Sequence, residues 1–246
     1  MNRLRGVVTI VTGASSGFGW VIAKTLAAEG ALVGLVARRR DRLEALQAEI
    51  EGAGGNALVC PADISSEQEI LTVVEEVKEA WGTVTLLVNN AGTNVTTRSI
   101  TDTDLQAWRM ILEVNLTSAY ILTKAVLPGM MKQECGTIIN IASKAASNPS
   151  LVGGVAYSSS KRGMEALTVV TNQEGNPRNV RATVLNPGEG NTPILDRRSA
   201  PPNAESRSIM IQPQDLADLV VLVATLPQNV TVETVDLRPT KKRSAR

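Results

Sequence analysis

The sequence predicts an α/β protein built on a doubly wound parallel sheet, with about seven strands and helices on both faces. Short apolar runs alternate with helix-like stretches along the whole chain, as strands do when right-handed helical crossovers join them. The first apolar run also passes directly into a glycine-rich turn at residues 12–19. Sheets of this kind bind ligands outside the carboxyl ends of their strands, which is where that turn falls.

The candidate strands are the apolar runs at residues 7–11, 31–36, 57–60, 84–88, 137–141, 181–185 and 230–237. Between these runs, apolar side chains recur three and four positions apart, which is typical of helices that pack on a sheet. Gly30 follows the first helix as a C-terminal cap, and Ser65 with Gln68 forms a capping-box pattern. Pro213 can open the last helix.

Length and charge limit the classes of protein to consider. With 246 residues and 43% apolar composition, one core suffices, so we expect a single domain over residues 1–240 and a basic tail over 241–246. The net charge of +1 provides no field that would attract nucleic acid or an anionic membrane. No stretch approaches the roughly 20 apolar residues that cross a bilayer.

Cysteine and histidine usage narrows the chemistry. Cys60 and Cys135 have no spacing that suggests a metal site or a disulfide framework, so a reduced cytoplasm is the simplest compartment. Histidine is absent from the chain, which excludes histidine metal ligands, His-dependent triads and histidine acid/base catalysis. Any proton transfer must therefore use another group.

Three glycines of the first turn leave the backbone bare at the start of a helix. With Gly13, Gly17 and Gly19 at these positions, a pyrophosphate can approach the helix N-terminus closely. Their spacing, G-x-x-x-G-x-G, differs from the familiar G-x-G-x-x-G pattern. Taken alone, the turn fits either a nucleotide site or an ordinary tight turn.

A tyrosine and a lysine form the second candidate feature. Tyr157 lies fourteen residues after Ser143 and four residues before Lys161, so on a helix the phenol and the ammonium would point into the same cleft. A cation about 4 Å away at an effective dielectric near 20 supplies the roughly 4 kcal/mol that lowers a tyrosine pKa from about 10 to about 7. Taken alone, such a pair also fits a solvated helix face.

Three motifs that follow one another along the chain decide between the functional and the ordinary explanations of the glycine turn and of the tyrosine–lysine pair. Residues 12–19, 89–92 and 157–161 match T-G-x-x-x-G-x-G, N-N-A-G and Y-x-x-x-K. In this combination the chain resembles the classical short-chain dehydrogenase/reductase family over nearly its whole length. The resemblance implies a Rossmann-like fold and hydride transfer between a nicotinamide cofactor and a carbonyl or secondary alcohol.

By that resemblance, four residues would carry the chemistry. Tyr157 would act as general acid in carbonyl reduction and as general base in alcohol oxidation, while Lys161 would lower its pKa and bind the nicotinamide ribose. Ser143 would hydrogen-bond the substrate oxygen, and Asn115 would hold water in a proton relay that leads to Lys161. No metal is implied.

The resemblance also indicates where the cofactor binds. Asp63 would contact the adenine, and Thr192 would contact the carboxamide of the nicotinamide. The residues that would bind the cofactor are Gly13, Ser15, Ser16, Gly17, Phe18, Gly19, Arg38, Arg39, Asp63, Ile64, Asn90, Ala91, Gly92, Tyr157, Lys161, Pro187, Gly188 and Thr192.

The end of the second strand indicates which nicotinamide cofactor is used. An acid there favours NAD, whereas the 2′-phosphate of NADP requires a cation. The chain offers Arg38, Arg39 and Arg40, and because the planar guanidinium suits phosphate we predict NADP(H) over NAD(H), with Arg38 as the main contact and Arg39 as a helper. The alternative is that these arginines only solvate the start of the next helix.

The sequence indicates less about the substrate than about the cofactor or the catalytic residues. The interval from Ser143 to Tyr157 is one residue longer than the family's most common spacing, which lengthens the loop at residues 148–154 beside the substrate pocket. Lys144 is assigned no catalytic role. The candidate substrate contacts are Leu151, Val152, Glu189 and Ile194. We expect a small or medium ketone, aldehyde or alcohol.

A polar, proline-interrupted segment at residues 189–212 has the character of a mobile lid. It contains Arg197, Arg198 and Arg207, which would either attract a carboxylate on the substrate or only keep an exposed lid soluble. The sequence does not choose between these two roles.

Two other functions stay open at this point. One is a catalytically idle NADP(H)-binding sensor or scaffold, although a sensor would not need the four catalytic-type residues. The other is an isomerase or dehydratase that uses the cofactor transiently, although such relatives usually have a larger C-terminal region. On the resemblance alone we also expect a homodimer or homotetramer built through the two longest helices, near residues 102–132 and 157–174.

Overall fold

Seven parallel strands form one sheet at the centre of the computed structural model, which describes residues 2–197 and 201–241. The strands are β1 (Val8–Thr12), β2 (Leu32–Ala37), β3 (Asn56–Pro61), β4 (Leu86–Asn89), β5 (Gly136–Ile141), β6 (Val180–Pro187) and β7 (Thr234–Leu237). Their order across the sheet is β3-β2-β1-β4-β5-β6-β7. The direction of winding therefore reverses between β1 and β4, and this reversal leaves a crevice at their carboxyl ends.

Helices cover both faces of the sheet. They are α1 (Gly17–Ala28), α2 (Arg40–Gly52), α3 (Glu67–Trp81), α4 (Leu105–Leu112), α5 (Ser118–Gln133), α6 (Lys144–Ser147), α7 (Val155–Gly175), α8 (Ala204–Ser208) and α9 (Pro213–Ala224). A π-helical turn at Glu113–Thr117 joins α4 to α5, and short 3₁₀ turns lie at Asn176–Arg178 and Pro193–Arg197.

The core consists of two apolar layers separated by the sheet. Leu26 of α1, Leu46 of α2 and Val220 of α9 pack on one face, whereas Val73 of α3 and Leu122 of α5 pack on the other. Every residue of β1, β4, β5 and β6 is buried, as is typical of parallel strands covered by helices on both faces of the sheet. The predicted doubly wound parallel sheet is confirmed.

The last strand is shorter than predicted, because it begins at Thr234 instead of residue 230. Side chains of β6 bind the carbonyls that come just before it: Arg181 donates from Nη1 to Val230 O at 2.9 Å, and Thr183 donates to Val232 O at 2.6 Å. These carbonyls are therefore satisfied by side chains instead of by a strand ladder.

The helix caps follow the sequence prediction with one correction. Gly30 has a φ of +92° and donates to Ala27 O at 2.9 Å, as a C-terminal cap does, and Pro213 is the first residue of α9. The predicted capping box at Ser65 and Gln68 is wrong by one residue. Ser66 precedes α3 and accepts a hydrogen bond from Glu69 N, because the Ser65 hydroxyl is bound to Asp63.

The longest helical stretch, Leu105–Gln133, passes the length and composition test for a membrane span, contrary to the sequence expectation. Half of its apolar window is buried inside the fold, where α5 packs against α3 and α7. A buried core helix passes the same test, so the stretch is weak evidence for a membrane span.

Candidate active site

Two of the sequence motifs are bonded to each other at the crevice between β1 and β4. The hydroxyl of Thr12 accepts hydrogen bonds from the backbone N–H groups of Asn90 and Ala91, each at 3.0 Å. The Asn90 amide in turn donates to Thr12 O at 2.8 Å. The glycine turn and the N-N-A-G segment therefore form one rigid floor at the switch point of the sheet.

The glycines of the turn are required by close backbone packing. A Cβ placed on Gly19 would lie 2.4 Å from Gly13 O, and one on Gly13 would lie 2.9 Å from the amide nitrogen of Asn90. Gly13 and Gly17 also have φ values of +68° and +57°, a region that favours glycine. The Ser16 side chain does not cap α1 in the described structure, and an anion bound at this helix N-terminus would satisfy first-turn N–H groups of α1.

Arginines from the end of β2 approach this turn. Arg39 donates from Nη2 to Ser15 Oγ at 2.9 Å, whereas Arg38 is 76% exposed and places Nη1 4.0 Å from Asp63 Oδ2. Hydrogen bonds from the backbone and hydroxyl of Ser65, with a smaller contribution from Arg38, hold the pKa of Asp63 below its usual value. Ile64 is buried beside it. Arg39, predicted as the helper, therefore makes the direct contact with the turn.

Ser143 and Tyr157 meet at the carboxyl end of β5. Ser143 precedes α6 and accepts a hydrogen bond from Ala145 N at 3.1 Å, which fixes the start of that short helix. Tyr157 lies in the first turn of α7, partly buried, and near enough to Ser143 that the serine hydroxyl acts to lower the pKa of the phenol. The predicted pair of a serine hydroxyl and a phenol is thus brought together.

Burial raises the pKa of Tyr157, although the Ser143 hydroxyl and the positive charge of Arg98 oppose this change. Lys161 was predicted to lower that pKa, and the net direction here is the opposite. The Lys161 ammonium lies 5.8 Å from the centre of the tyrosine ring and donates to Ile141 O at 2.8 Å. Burial lowers the pKa of Lys161 itself to about 7, which weakens its charge near neutral pH.

Asn115 occupies the π-helical turn between α4 and α5, a type of distortion that is frequent at functional sites. Its Oδ1 accepts from Thr93 N at 2.7 Å, and its Nδ2 donates to Thr93 O at 3.0 Å and to Ser160 Oγ at 3.1 Å. A Cβ on Gly92 would lie 3.5 Å from both Asn115 Oδ1 and Lys161 Nζ. The absence of a side chain at Gly92 therefore leaves room between these two groups.

The segment after β6 covers the glycine turn. A Cβ on Gly17 would lie 3.3 Å from Thr192 Cβ, and one on Gly190 would lie 2.2 Å from the Phe18 ring. Thr192 is buried, and Gly188 N donates to Leu237 O at 2.8 Å just beyond Pro187. Thr192 therefore lies against Gly17 and the Phe18 ring lies against Gly190, and both Thr192 and Phe18 are predicted cofactor residues.

The predicted lid has ordered ends in the described residues. Asn191 N donates to Ile211 O at 2.8 Å, and Ile211 N donates to Glu189 O at 3.1 Å. Arg207 is engaged within the segment, where it bonds Asp196 and Pro202 O. Of the other two lid arginines, Arg198 and the side chain of Arg197 lie outside the described part of the structure.

The apolar residues predicted to contact substrate lie at the surface. Leu151, Val152 and Ile194 are 75%, 68% and 44% exposed. Leu151 and Val152 belong to the loop 148–154, which ends at Gly154 with a φ of +85°. The loop thus presents apolar side chains next to the helix that carries Tyr157.

Sequence reasoning missed several residues that hold the site together. Thr12 belongs to the quoted glycine motif, so its position in the motif could have signalled its role. Ser160 donates to Tyr157 O at 2.8 Å and receives the Asn115 amide, and Arg98 acts on the tyrosine through its charge. No local pattern marks the contact of Ser160 with Asn115 or that of Arg98 with Val152 O, because each joins chain segments that are distant in sequence.

Known oxidoreductases are similar to this chain in sequence. A model of the short chain dehydrogenase family matches residues 7–203. An uncharacterized oxidoreductase of Staphylococcus saprophyticus is 34% identical over 241 residues, which cover 97% of this chain and all of that protein. An uncharacterized oxidoreductase of Staphylococcus epidermidis is 31% identical over 239 residues, with the same coverage.

Solved structures are similar over nearly the whole chain. A metagenomic short-chain oxidoreductase in complex with NADP has a TM-score of 0.85 and 34% identity, covering 98% of this chain and 100% of that one. An alcohol dehydrogenase from the archaeon Thermococcus sibiricus, complexed with 5-hydroxy-NADP, has a TM-score of 0.86 and 28% identity, covering 97% and 98%.

Proposed function

The chain belongs to the short-chain dehydrogenase family of oxidoreductases, and from this premise we propose that it is an NADP-dependent enzyme that transfers hydride between nicotinamide and a carbonyl or secondary alcohol. One observation carries the proposal. Ser143 and Tyr157 come together at the carboxyl edge of the sheet, where the serine hydroxyl acts on the pKa of the phenol, and Lys161 lies one helical turn further along α7. The glycine turn that would hold the cofactor opens at the same edge.

The residues at the switch point fit a dinucleotide. Gly13 and Gly19 pack the turn closely against Asn90, so the N-terminus of α1 lies at the crevice, where it can bind a pyrophosphate. Gly92 leaves space beside Asn115 and Lys161. Asn90 and Ala91 form the floor of the crevice, and Thr192 closes it from above. When bound, the cofactor supplies the hydride, and the protein supplies position and the proton.

The preference for NADP(H) is supported by the group of cations and hydroxyls at the end of β2. Arg39 and the Ser15 hydroxyl, 2.9 Å apart, offer a guanidinium and a hydroxyl to a 2′-phosphate, and exposed Arg38 can add a second guanidinium. Two structurally similar proteins were solved with NADP or 5-hydroxy-NADP. Asp63 lies 4.0 Å from Arg38 and offsets part of its charge, so Arg39, bound to the Ser15 hydroxyl, is the main cation offered to a 2′-phosphate at this corner.

In the reductive direction, Tyr157 gives its proton to the substrate oxygen as hydride reaches the carbonyl carbon. Ser143 donates a hydrogen bond to the same oxygen and stabilises the charge that develops there. Lys161, with a pKa of about 7 in its buried position, can exchange a proton near neutral pH. Water in the space beside Gly92 would connect Lys161 to Asn115 and return the proton.

We also propose a homodimer or homotetramer that contacts through α5 and α7, and a cytoplasmic location. Three exposed side chains on these helices support the interface: Tyr120 is 49%, Val169 53% and Val170 55% exposed. Exposed apolar patches of this kind mark interaction surfaces. Size-exclusion chromatography with light scattering tests the assembly, and a monomer at micromolar concentration would contradict it.

The function is tested by titrating NADPH and NADH by fluorescence, followed by absorbance assays with ketones, aldehydes and keto acids. Tight NADPH binding with turnover of any carbonyl supports the proposed enzyme. Tight binding without turnover across a broad panel supports the alternative of an NADP(H)-binding sensor.

A further inference from the structure

The loop 148–154 is tied to the segment that follows β4 by side chains on that segment. Asn94 donates from Nδ2 to Gly153 O at 2.9 Å, and Arg98 donates from Nη1 to Val152 O. The backbone adds a third tie, because Val155 N donates to Arg98 O at 3.0 Å. Three hydrogen bonds thus close one segment over the other.

The packing beneath these bonds is equally close. Gly154 has a φ of +85°, and a Cβ added there would lie 2.8 Å from Arg98 Cβ. Arg98 also donates from Nε to Val95 O at 3.2 Å, which fixes the course of its own side chain. The guanidinium therefore spans both segments in one defined geometry.

The two segments joined by these bonds each connect to a residue of the candidate active site, Asn115 on one side and Tyr157 on the other. The segment 93–98 begins at Thr93, whose N–H and carbonyl are both held by Asn115. The loop ends at Gly154, and α7 then places Tyr157 in its first turn. A continuous path of bonds thus runs from Asn115 through Arg98 to the start of the tyrosine helix.

We propose that Arg98 is a positioning residue for Tyr157: it fastens the loop 148–154 to the segment 93–98 and so fixes where α7 begins. The inference rests on the proposed function, because the position of the phenol matters only if Tyr157 transfers a proton. A displacement of about 1 Å at a reacting group costs about 100-fold in rate. The loop has no helix or strand of its own, so its position depends on the three ties to the segment 93–98 and on its own turn hydrogen bonds.

The charge of Arg98 supports the same role. Two cations act around Tyr157 from different elements: Lys161 from its own helix, 5.8 Å from the ring centre, and Arg98 from the opposite loop. The neutral hydroxyl of Ser143 approaches from α6. Arg98 lowers the pKa of the phenol through its charge, so the ionisation of Tyr157 reports whether Arg98 remains in place.

The kinetic test compares Arg98→Met and Arg98→Lys with wild type, and uses Arg178→Met as the matched control. Arg178 is an exposed arginine that pairs with Glu134 at 3.4 Å, away from the site. We expect Arg98→Met to lower kcat by about 10- to 100-fold with NADPH affinity unchanged, and Arg98→Lys to recover part of the loss. Asn94→Ala, which removes one tie without removing charge, should lower kcat to a smaller extent. Arg178→Met should match wild type.

A second readout does not depend on turnover. The chain has two tyrosines, so the absorbance of tyrosinate in a pH titration, less that of Tyr157→Phe, gives the ionisation of Tyr157 alone. We expect the pKa of Tyr157 to rise in Arg98→Met and to stay near wild type in Arg98→Lys. If wild type binds NADPH but reduces no carbonyl, the proposed function fails and the titration still decides the placement of Arg98.

Three results would overturn the positioning role. The first is an unchanged kcat in Arg98→Met, and the second is an unchanged tyrosinate titration. The third is a loss of kcat that comes with an equal loss of NADPH affinity and thermal stability, because that pattern indicates general damage to the fold.

Discussion

Arg39 donates a hydrogen bond from Nη2 to Ser15 Oγ at 2.9 Å, which joins the end of β2 to the glycine turn. The bond brings a cation and a hydroxyl together on the side of the crevice where the adenosine ribose of a dinucleotide would lie. Arg38, the preceding residue, leans instead toward Asp63. The two arginines therefore approach one corner from different sides.

Reversing the charge of Arg38 or of Arg39 should weaken the binding of NADPH more than the binding of NADH. In Arg39→Asp and in Arg38→Asp, the 2′-phosphate loses a cation and meets an anion, and we expect NADPH affinity to fall by about tenfold or more. Fluorescence titration with both cofactors measures the effect. Arg40→Asp is the matched control, since Arg40 pairs with Glu44 on the exposed face of α2. Equal losses for NADPH and NADH would contradict the 2′-phosphate contact.

Removing the Ser143 hydroxyl should slow the chemical step without weakening cofactor binding. Ser143→Ala loses a donor aimed at the developing charge, so we expect kcat to fall by about 100- to 1,000-fold. Ser143→Thr keeps the hydroxyl that also caps α6 and should keep more of the activity. Steady-state kinetics with a titration of NADPH separate the two effects. Equal activities for the alanine and threonine variants would contradict the role of the hydroxyl.

The buried Lys161 should make the cofactor-free protein more stable as pH rises above neutral. Its folded pKa is about 7, whereas the unfolded lysine titrates near 10.4, so between these values the unfolded state binds one more proton. The free energy of unfolding should therefore rise by up to about 1.4 kcal/mol per pH unit in that window. Below pH 7, Lys161 is protonated in both the folded and the unfolded state, so its contribution to the free energy of unfolding should not change with pH.

Urea unfolding at several pH values measures this dependence, and Lys161→Met provides the reference without the titrating group. Subtracting the variant's pH profile from that of wild type gives the contribution of Lys161 to the pH dependence of the free energy of unfolding. A difference that stays constant from pH 7 to pH 9 would contradict the lowered pKa.

Arg181 should be a major determinant of stability. It is 2% exposed, bonds Thr137 Oγ1 at 3.1 Å, and holds carbonyls of the chain between α9 and β7, including Leu226 O at 2.9 Å and Pro227 O at 2.6 Å. Arg181→Met leaves these acceptors without their donor, so we expect a loss of about 3 kcal/mol or more. Chemical denaturation measures it. Arg178→Met on the surface should change stability by less than about 0.5 kcal/mol, and a similar small change at Arg181 would contradict the prediction.

The sequence predicted the sheet well because the sheet depends on local signals. Each buried strand is rich in apolar residues, and the glycines of the first turn sit where the backbone itself comes close, as at Gly13 and Gly19. The start of β7 was misplaced because Arg181 and Thr183 take carbonyls that the apolar run alone assigned to the strand. When side chains of a neighbouring strand bind carbonyls that would otherwise pair with backbone N–H groups, the residues that carry those carbonyls show no pattern that predicts it.

The contacts that complete the site could not be predicted for a similar reason. The bond between Arg98 and Val152 O spans 54 residues, and no periodicity connects the two positions. The direction of the tyrosine pKa depends on burial, on the Ser143 hydroxyl and on the charge of Arg98, none of which the four-residue spacing of Tyr157 and Lys161 determines. Residue identity indicated the chemistry, whereas the orientation of the groups required the fold.

The most direct test of the central claim compares wild type with Tyr157→Phe for NADPH binding and for NADPH consumption with a panel of ketones, aldehydes and keto acids. We predict that both proteins bind NADPH with similar affinity, that wild type consumes it with at least one carbonyl, and that the variant loses about 100-fold or more of that activity. Equal turnover by the two proteins, or tight binding with no turnover by wild type on any carbonyl, would contradict proton transfer by Tyr157.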